Sequence, residues 1–157
     1  MNHALVLRLA VEFQGFCRDL HDAAADTFSS WAAPDDARLA NIIRASMTKA
    51  RLLDRGNATR SRLTDDFGRF GMQVSQILSE RDPRMRRWFV DLERLNTARN
   101  AIAHDNPEVL AQLDADGQAL TLTTLRRWRG ALAGLAATLD IVTAEHLAET
   151  FGREEPW

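Results

Sequence analysis

The sequence predicts an all-α domain, and three observations predict it. Apolar residues recur every three or four positions almost everywhere along the 157 residues, the period of a helix with one buried face. Eight glycines and four prolines leave little material for a turn-rich β fold. Pro34, Pro83 and Pro107 fall where the periodicity itself breaks. The simplest architecture is an up-and-down bundle of four or five helices forming one domain over residues 1–157, because short connections make sequential helices antiparallel neighbours. A composition of 45% apolar and 27% charged residues suits a globular chain of this size and excludes a disordered or fibrous one.

Leu5, Leu9, Phe13, Phe16, Leu20, Ala24, Phe28 and Trp31 mark one long amphipathic helix. Its other face carries Arg8, Glu12, Asp19, Asp22 and Asp26, read as a solvated face or as a cleft wall. Pro34 stops it, and Asp35 and Asp36 open the next helix with acids favourably placed against its dipole. That second helix carries Leu39, Ile42, Ile43, Met47 and Leu53 and is expected to end near Arg55-Gly56-Asn57. Thr64 is the expected N-cap of a third helix with the stripe Phe67, Phe70, Val74 and Ile77 or Leu78. Asp82-Pro83 breaks it and starts a fourth, which buries Met85, Trp88, Phe89, Leu92, Leu95 and Ile102. Asp105-Asn106-Pro107 ends that helix, and 107–113 fits one or two helical turns. Thr123 or Thr124 opens the last helix, which runs through Trp128, Leu135, Leu139 and Leu147 to Gly152.

A single cysteine, Cys17, cannot form an internal disulfide, which points to a reducing cytoplasmic setting and excludes cysteine-based zinc sites. Cys17 reads as a small core residue. His21 and His146 have no third ligand at metal spacing, so neither a metal nor another cofactor is expected. Trp31, Trp88 and Trp128 lie on helix stripes and read as core. The first residues carry no basic charge before the apolar stretch, so no signal peptide is expected. The apolar run Ala131–Leu139 is too short for a membrane span, so no membrane is expected as a partner.

The net charge of −2 excludes a uniformly basic nucleic-acid protein. It conceals a strong asymmetry. Between Arg38 and Arg99, thirteen arginines and Lys49 face seven acids, an excess of seven positive charges, while the remainder carries an excess of nine negative ones. A positive middle suits a site that attracts a polyanion. The same residues also fit surface ion pairs, Glu80 with Arg84 and Arg87 with Asp91, at four-residue spacing.

One stretch has the residue types for chemistry: Arg99-Asn100-Ala101-Ile102-Ala103-His104, at the end of a long amphipathic helix and before a polar turn. Residues five apart on a helix are about 7.5 Å apart along the axis and about 140° apart around it. They cannot pair tightly on a straight helix, but both can reach a space beside it, especially where the last turn distorts. Arginine is a permanent cation whose fork fits phosphate oxygens. Histidine gives and takes protons near neutral pH. Together they suit phosphodiester chemistry without a metal.

This stretch resembles the Arg-x(4–6)-His motif of HEPN domains, all-α proteins of prokaryotic defence and toxin–antitoxin systems. Asn100 matches the polar residue that usually follows the motif arginine. The resemblance extends loosely over the whole chain, through helix order, size and the motif's place before the final long helix. It implies a HEPN-like bundle acting as a metal-independent endoribonuclease, usually a homodimer with a composite site. It also allows a catalytically inactive module that binds RNA or a protein partner, and a partner antitoxin that inhibits by tight binding.

In that setting a ribose 2′-hydroxyl attacks the adjacent phosphorus. His104 acts as general base, or as general acid toward the leaving 5′-oxygen. Arg99 stabilises charge on the phosphoryl oxygens. Asn100 orients a phosphate oxygen or the imidazole. Arg94 is a weaker candidate for holding RNA, with an ion pair to Asp91 as the other reading. Taken singly, Arg99 also reads as a salt-bridge partner, Asn100 as a helix-end cap and His104 as a cation on the helix dipole. The chain departs from some HEPN toxins in one respect. They place a tyrosine, modified by a partner nucleotidyltransferase, two residues after the motif histidine. That position is Asn106 here and the chain has no tyrosine, so this form of control is impossible.

Overall fold

A computed structural model describes residues 2–157. Seven α-helices follow one another: α1 (His3–Ala32), α2 (Ala37–Thr48), α3 (Arg60–Phe67), α4 (Val74–Arg81), α5 (Met85–Ala103), α6 (Pro107–Ala115) and α7 (Leu122–Phe151). Short 3-10 turns occupy Leu52–Asp54 and Gly68–Phe70, and no strand occurs among the described residues. The all-α expectation holds; the count of four or five does not.

Local chemistry explains the difference. Asp36 caps α2 as expected, its carboxylate accepting the N–H groups of Arg38 and Leu39. The helix then stops at Thr48 rather than near Arg55, and Ala50 turns the chain with φ +57°. The expected third helix is two. Thr59, not Thr64, caps α3, its side chain accepting from the Arg62 N–H. Gly71, at φ +81°, then reverses the chain before α4, a conformation glycine adopts without penalty. Thr121, rather than Thr123 or Thr124, caps α7, and Gly152 closes it in the left-handed region.

The core is a trio of long helices, α1, α5 and α7, each packed on the other two. Their directions follow from side-chain contacts. The Asn2 side chain donates to Leu120 O at one end, and Phe28 and Trp31 meet the Phe151 ring at the other, so α1 and α7 run parallel. Arg81 pairs with Glu145 and Arg127 with Asp91, so the segment entering α5, and α5 itself, run antiparallel to α7. One apolar cluster extends from Val6 through Phe67, Met85 and Leu95 to Trp128 and Leu147. Length and apolar composition would let α7 cross a membrane, but 44% of that apolar window is buried in the fold. Its apolar face packs on α1 and α5, as in a core helix.

Several charged residues land differently from their expected places. Pro83 interrupts the helix between Glu80 and Arg84, and Arg84 instead grips Asp82. Asp91 points inward, 2% exposed, between Arg94 and Arg127 rather than toward Arg87. Half of the acidic face of α1 is a seam, with Asp26 bound to Arg44 of α2 and Asp22 to Arg51, while Glu12 and Asp19 are exposed. On α2, Leu39 and Ile42 remain exposed, so only part of its apolar stripe is used.

A buried polar knot fixes the chain after α2. The Asp66 carboxylate, fully buried, accepts the N–H groups of Leu52 and Leu53 at 2.9 and 2.8 Å. Arg51 reaches Asp22 with both terminal nitrogens and Asp54 with Nε. His21, also fully buried, lies among Arg51, the Asp66 carbonyl and the rings of Phe67 and Phe70. Burial holds its pKa below 6.5, Arg51 adds to the depression, and Asp66 and Asp22 oppose it. His21 is therefore neutral in the folded state at a pH where the unfolded chain takes up a proton. Its contribution to stability is full above pH 6.5 and is lost as pH falls from 6.5 toward the folded-state value. Urea denaturation at pH 7.5 and pH 5 is expected to give lower stability at pH 5, with the difference reduced in His21→Gln.

At Gly134 of α7 an added Cβ would overlap the Trp88 ring. Gly134→Ala gains about 1 kcal/mol of helix propensity but overpacks this contact, at a cost of about 1–3 kcal/mol. Thermal unfolding is expected to show a net loss that Trp88→Leu in the same chain relieves.

Candidate functional site

The end of α5 is closed by its own backbone. The Asn106 N–H donates to Ala101 O at 2.8 Å and the Asp105 N–H to Ile102 O, with Asp105 at φ +49°. This is a Schellman ending in which an aspartate takes the left-handed position. His104 is the C-cap, its N–H still bonded to Asn100 O. The last turn of α5 is therefore regular through Ala103, without the distortion that would draw Arg99 and His104 together. Asn106 caps α6 by accepting the Val109 N–H.

Arg99 is half-buried, while Asn100 and His104 are exposed. Arg99 forms no ion pair among the described residues. One terminal nitrogen of its guanidinium donates to Asn100 Oδ1 at 3.1 Å, and that oxygen also accepts from Asn57 Nδ2 at 2.9 Å. Asn100 is thus not a helix-end cap. It joins α5 to the loop between α2 and α3.

That loop is held by several bonds. Asn96, nearly buried, donates to Ala58 O at 2.7 Å. Gln14 of α1 donates to Leu53 O and Gly56 O. Arg62 donates to Asn57 O and lies across Gly56, where a Cβ would collide with its guanidinium. Two clefts open beside the loop. One, of about 430 Å³, is walled by Asn57, Thr59, Arg62, Glu93, Arg99 and Asn100 among others. The second, of about 480 Å³, lies toward α1 and includes Arg18, Arg55, Asn57 and Arg99.

Arg99 and Asn100 are therefore brought together, and His104 follows one turn beyond Asn100 on the same side of α5. His104 lines neither cleft. Arg94 lies 3.5 Å from Asp91, as its ion-pair reading expects. Asn57, Asn96 and Arg62 escape a reading of motifs, because a loop residue reaches α5 only through the fold. The signal was the arginine-rich stretch that contains them.

Other candidates are structural. Cys17 is fully buried and burial pushes its thiol pKa up, which leaves it unreactive. His146 bonds to Phe70 O. No cluster of three metal-ligating residues occurs among the described residues. Compared with protein-family models, with curated proteins and with solved structures, the chain matches none.

Asn96→Ala removes the donor to a buried carbonyl, at an expected cost of about 1–3 kcal/mol. Hydrogen exchange at residues 55–59 is expected to accelerate while the core of α7 keeps its protection; urea denaturation and exchange mass spectrometry measure the two effects.

Proposed function

We propose that this protein is a HEPN-type, metal-independent endoribonuclease of a toxin–antitoxin or phage-defence system. The carrying observation is Arg99: a guanidinium in no ion pair among the described residues, facing polar clefts, with Asn100 bound to it and His104 exposed one turn beyond Asn100. Such a cation receives phosphate oxygens, and charge on them grows as a 2′-hydroxyl attacks phosphorus. His104 takes the proton from that hydroxyl or delivers one to the leaving 5′-oxygen. The products are a 2′,3′-cyclic phosphate and a 5′-hydroxyl, and DNA is refused for want of the nucleophile. A homodimer completes the site by setting the two motifs face to face, so that one His104 acts as base and its partner as acid. An inhibitory antitoxin protein is the proposed partner, and the buried, inert thiol of Cys17 suits a reducing cytoplasm.

A second reading has its own support. His104 lies outside both clefts that receive Arg99, as expected of a module that binds RNA or a protein without cutting.

The decisive assay is cleavage of labelled RNA in EDTA. Activity is expected to persist, to fall about 10²–10⁴-fold in His104→Ala and about 10²–10³-fold in Arg99→Ala. A requirement for Mg²⁺, or full activity in His104→Ala, removes the nuclease reading. RNA binding without cleavage selects the second one.

A further inference from the structure

We propose that a single nucleic-acid strand lies along α5, in a groove leading from Arg99 toward the start of the helix, gripped through its phosphates by Arg62, Arg60 and Arg86. The proposal rests on reading Arg99 as a phosphate-binding group, and it adds the path the strand takes away from that group.

The groove is built from clefts that share walls. The cleft holding Arg99 and Arg62 shares Glu93 and Thr97 with a third, of about 330 Å³, that Arg60 and Arg86 also line. At its other end it shares Gly56, Asn57 and Arg99 with the cleft containing Arg55. From Arg86 to Arg99 the helix rises about 20 Å, room for several consecutive phosphates. Arg55, Arg60, Arg62, Arg86 and Arg99 form no ion pair among the described residues. Arg8, Arg44, Arg51 and Arg81 elsewhere are matched with carboxylates, whereas Arg126 and Arg129, in no ion pair among the described residues either, line a separate cleft and serve as the control for unpaired charge alone.

The lining also determines how the strand is held. Phe89 is 4% exposed and covered by the Arg60 guanidinium, so this aromatic offers no face for base stacking. Recognition falls on phosphates, which carry no sequence information. α5 forms one wall of the groove and the segment from Gly56 to Arg62 the other. The clefts lie on one side of His104, so the strand is held mainly to one side of the proposed scissile phosphate.

The test uses the full chain carrying His104→Ala and fluorescein-labelled 12-mers of RNA and of DNA with the same sequence, read by anisotropy. Both are expected to bind, with log affinity falling against log salt at a slope of about −2 to −3 for three or four phosphate contacts. Arg60→Glu with Arg86→Glu is expected to weaken both at least tenfold and to flatten the slope. Arg86→Gln alone, at an exposed position, is expected to weaken them in the same direction. Glu93→Gln is expected to tighten both. Arg126→Glu with Arg129→Glu, outside the groove, leaves them within twofold.

Affinity unchanged in the Arg60/Arg86 variants, or lost equally in the Arg126/Arg129 variant, overturns the groove. So does an unlabelled acidic polypeptide that displaces RNA as well as unlabelled DNA does, because it assigns the surface to a protein. Failure of the nuclease reading is separate: a wild-type chain that cuts no RNA but shows this arginine dependence keeps the groove and loses the cleavage chemistry. A chain that cuts RNA at an unchanged rate and affinity in the Arg60/Arg86 variants keeps the chemistry and loses the groove.

Discussion

The Asp66 carboxylate, accepting two consecutive backbone N–H groups in a site closed to solvent, is the constraint on which the candidate site depends. A segment leaving a helix without a regular continuation needs partners for its backbone groups. Asp66 supplies them at Leu52 and Leu53, while Arg51 ties the same turn to α1 through Asp22. Gln14 and Asn96 then bind the carbonyls of Leu53, Gly56 and Ala58, so the loop crosses from α1 to α5 with little freedom. Only with that crossing fixed does Asn57 meet Asn100, and only then does Arg99 face a wall instead of open water.

The fixed loop also governs the local field. Elsewhere the chain pairs many arginines with acids, as along the seam between α1 and α2. Beside α5 the acids are used differently: Asp66 serves backbone amides, and Asp91 turns inward. Asp66 and Asp91 are thus occupied, and Glu93 is the carboxylate left facing the guanidinium groups in the clefts. The excess of positive charge between residues 38 and 99 becomes a surface property because of how the acids are used, as well as how many there are.

The long helices were legible because their stripes are strong and their ends carry chemistry: Asp36, Pro83, Pro107 and Gly152 each mark a boundary through a cap, a missing N–H or a left-handed turn. The middle was harder. Between residues 48 and 74 the chain turns at Ala50 and Gly71, and no periodic signal distinguishes one helix from two there. Thr59 and Thr64 are both threonines suited to a cap; in the fold Thr59 caps α3, next to the Ala58 carbonyl held by Asn96, while the Thr64 hydroxyl bonds Arg60 O and Ser75. Arg99, Asn100 and His104 were visible as residue types. The bond from Asn57 was not, since 43 residues separate it from Asn100. The five-residue spacing already set Arg99 and His104 apart around a straight helix; whether the last turn would distort was not legible, and it stays regular through Ala103.

The parallel course of α1 and α7 bears on how the chain comes to fold. No short loop joins parallel neighbours, so the first and last helices meet only after everything between them has been made. Contacts between the ends of a chain are slow to form because a large loop must close. Until α7 arrives, the apolar face of α1 lacks one of its main partners. During synthesis α1 therefore emerges before α5 and α7 and waits longest for a complete environment, which makes the half-made chain the state most open to self-association.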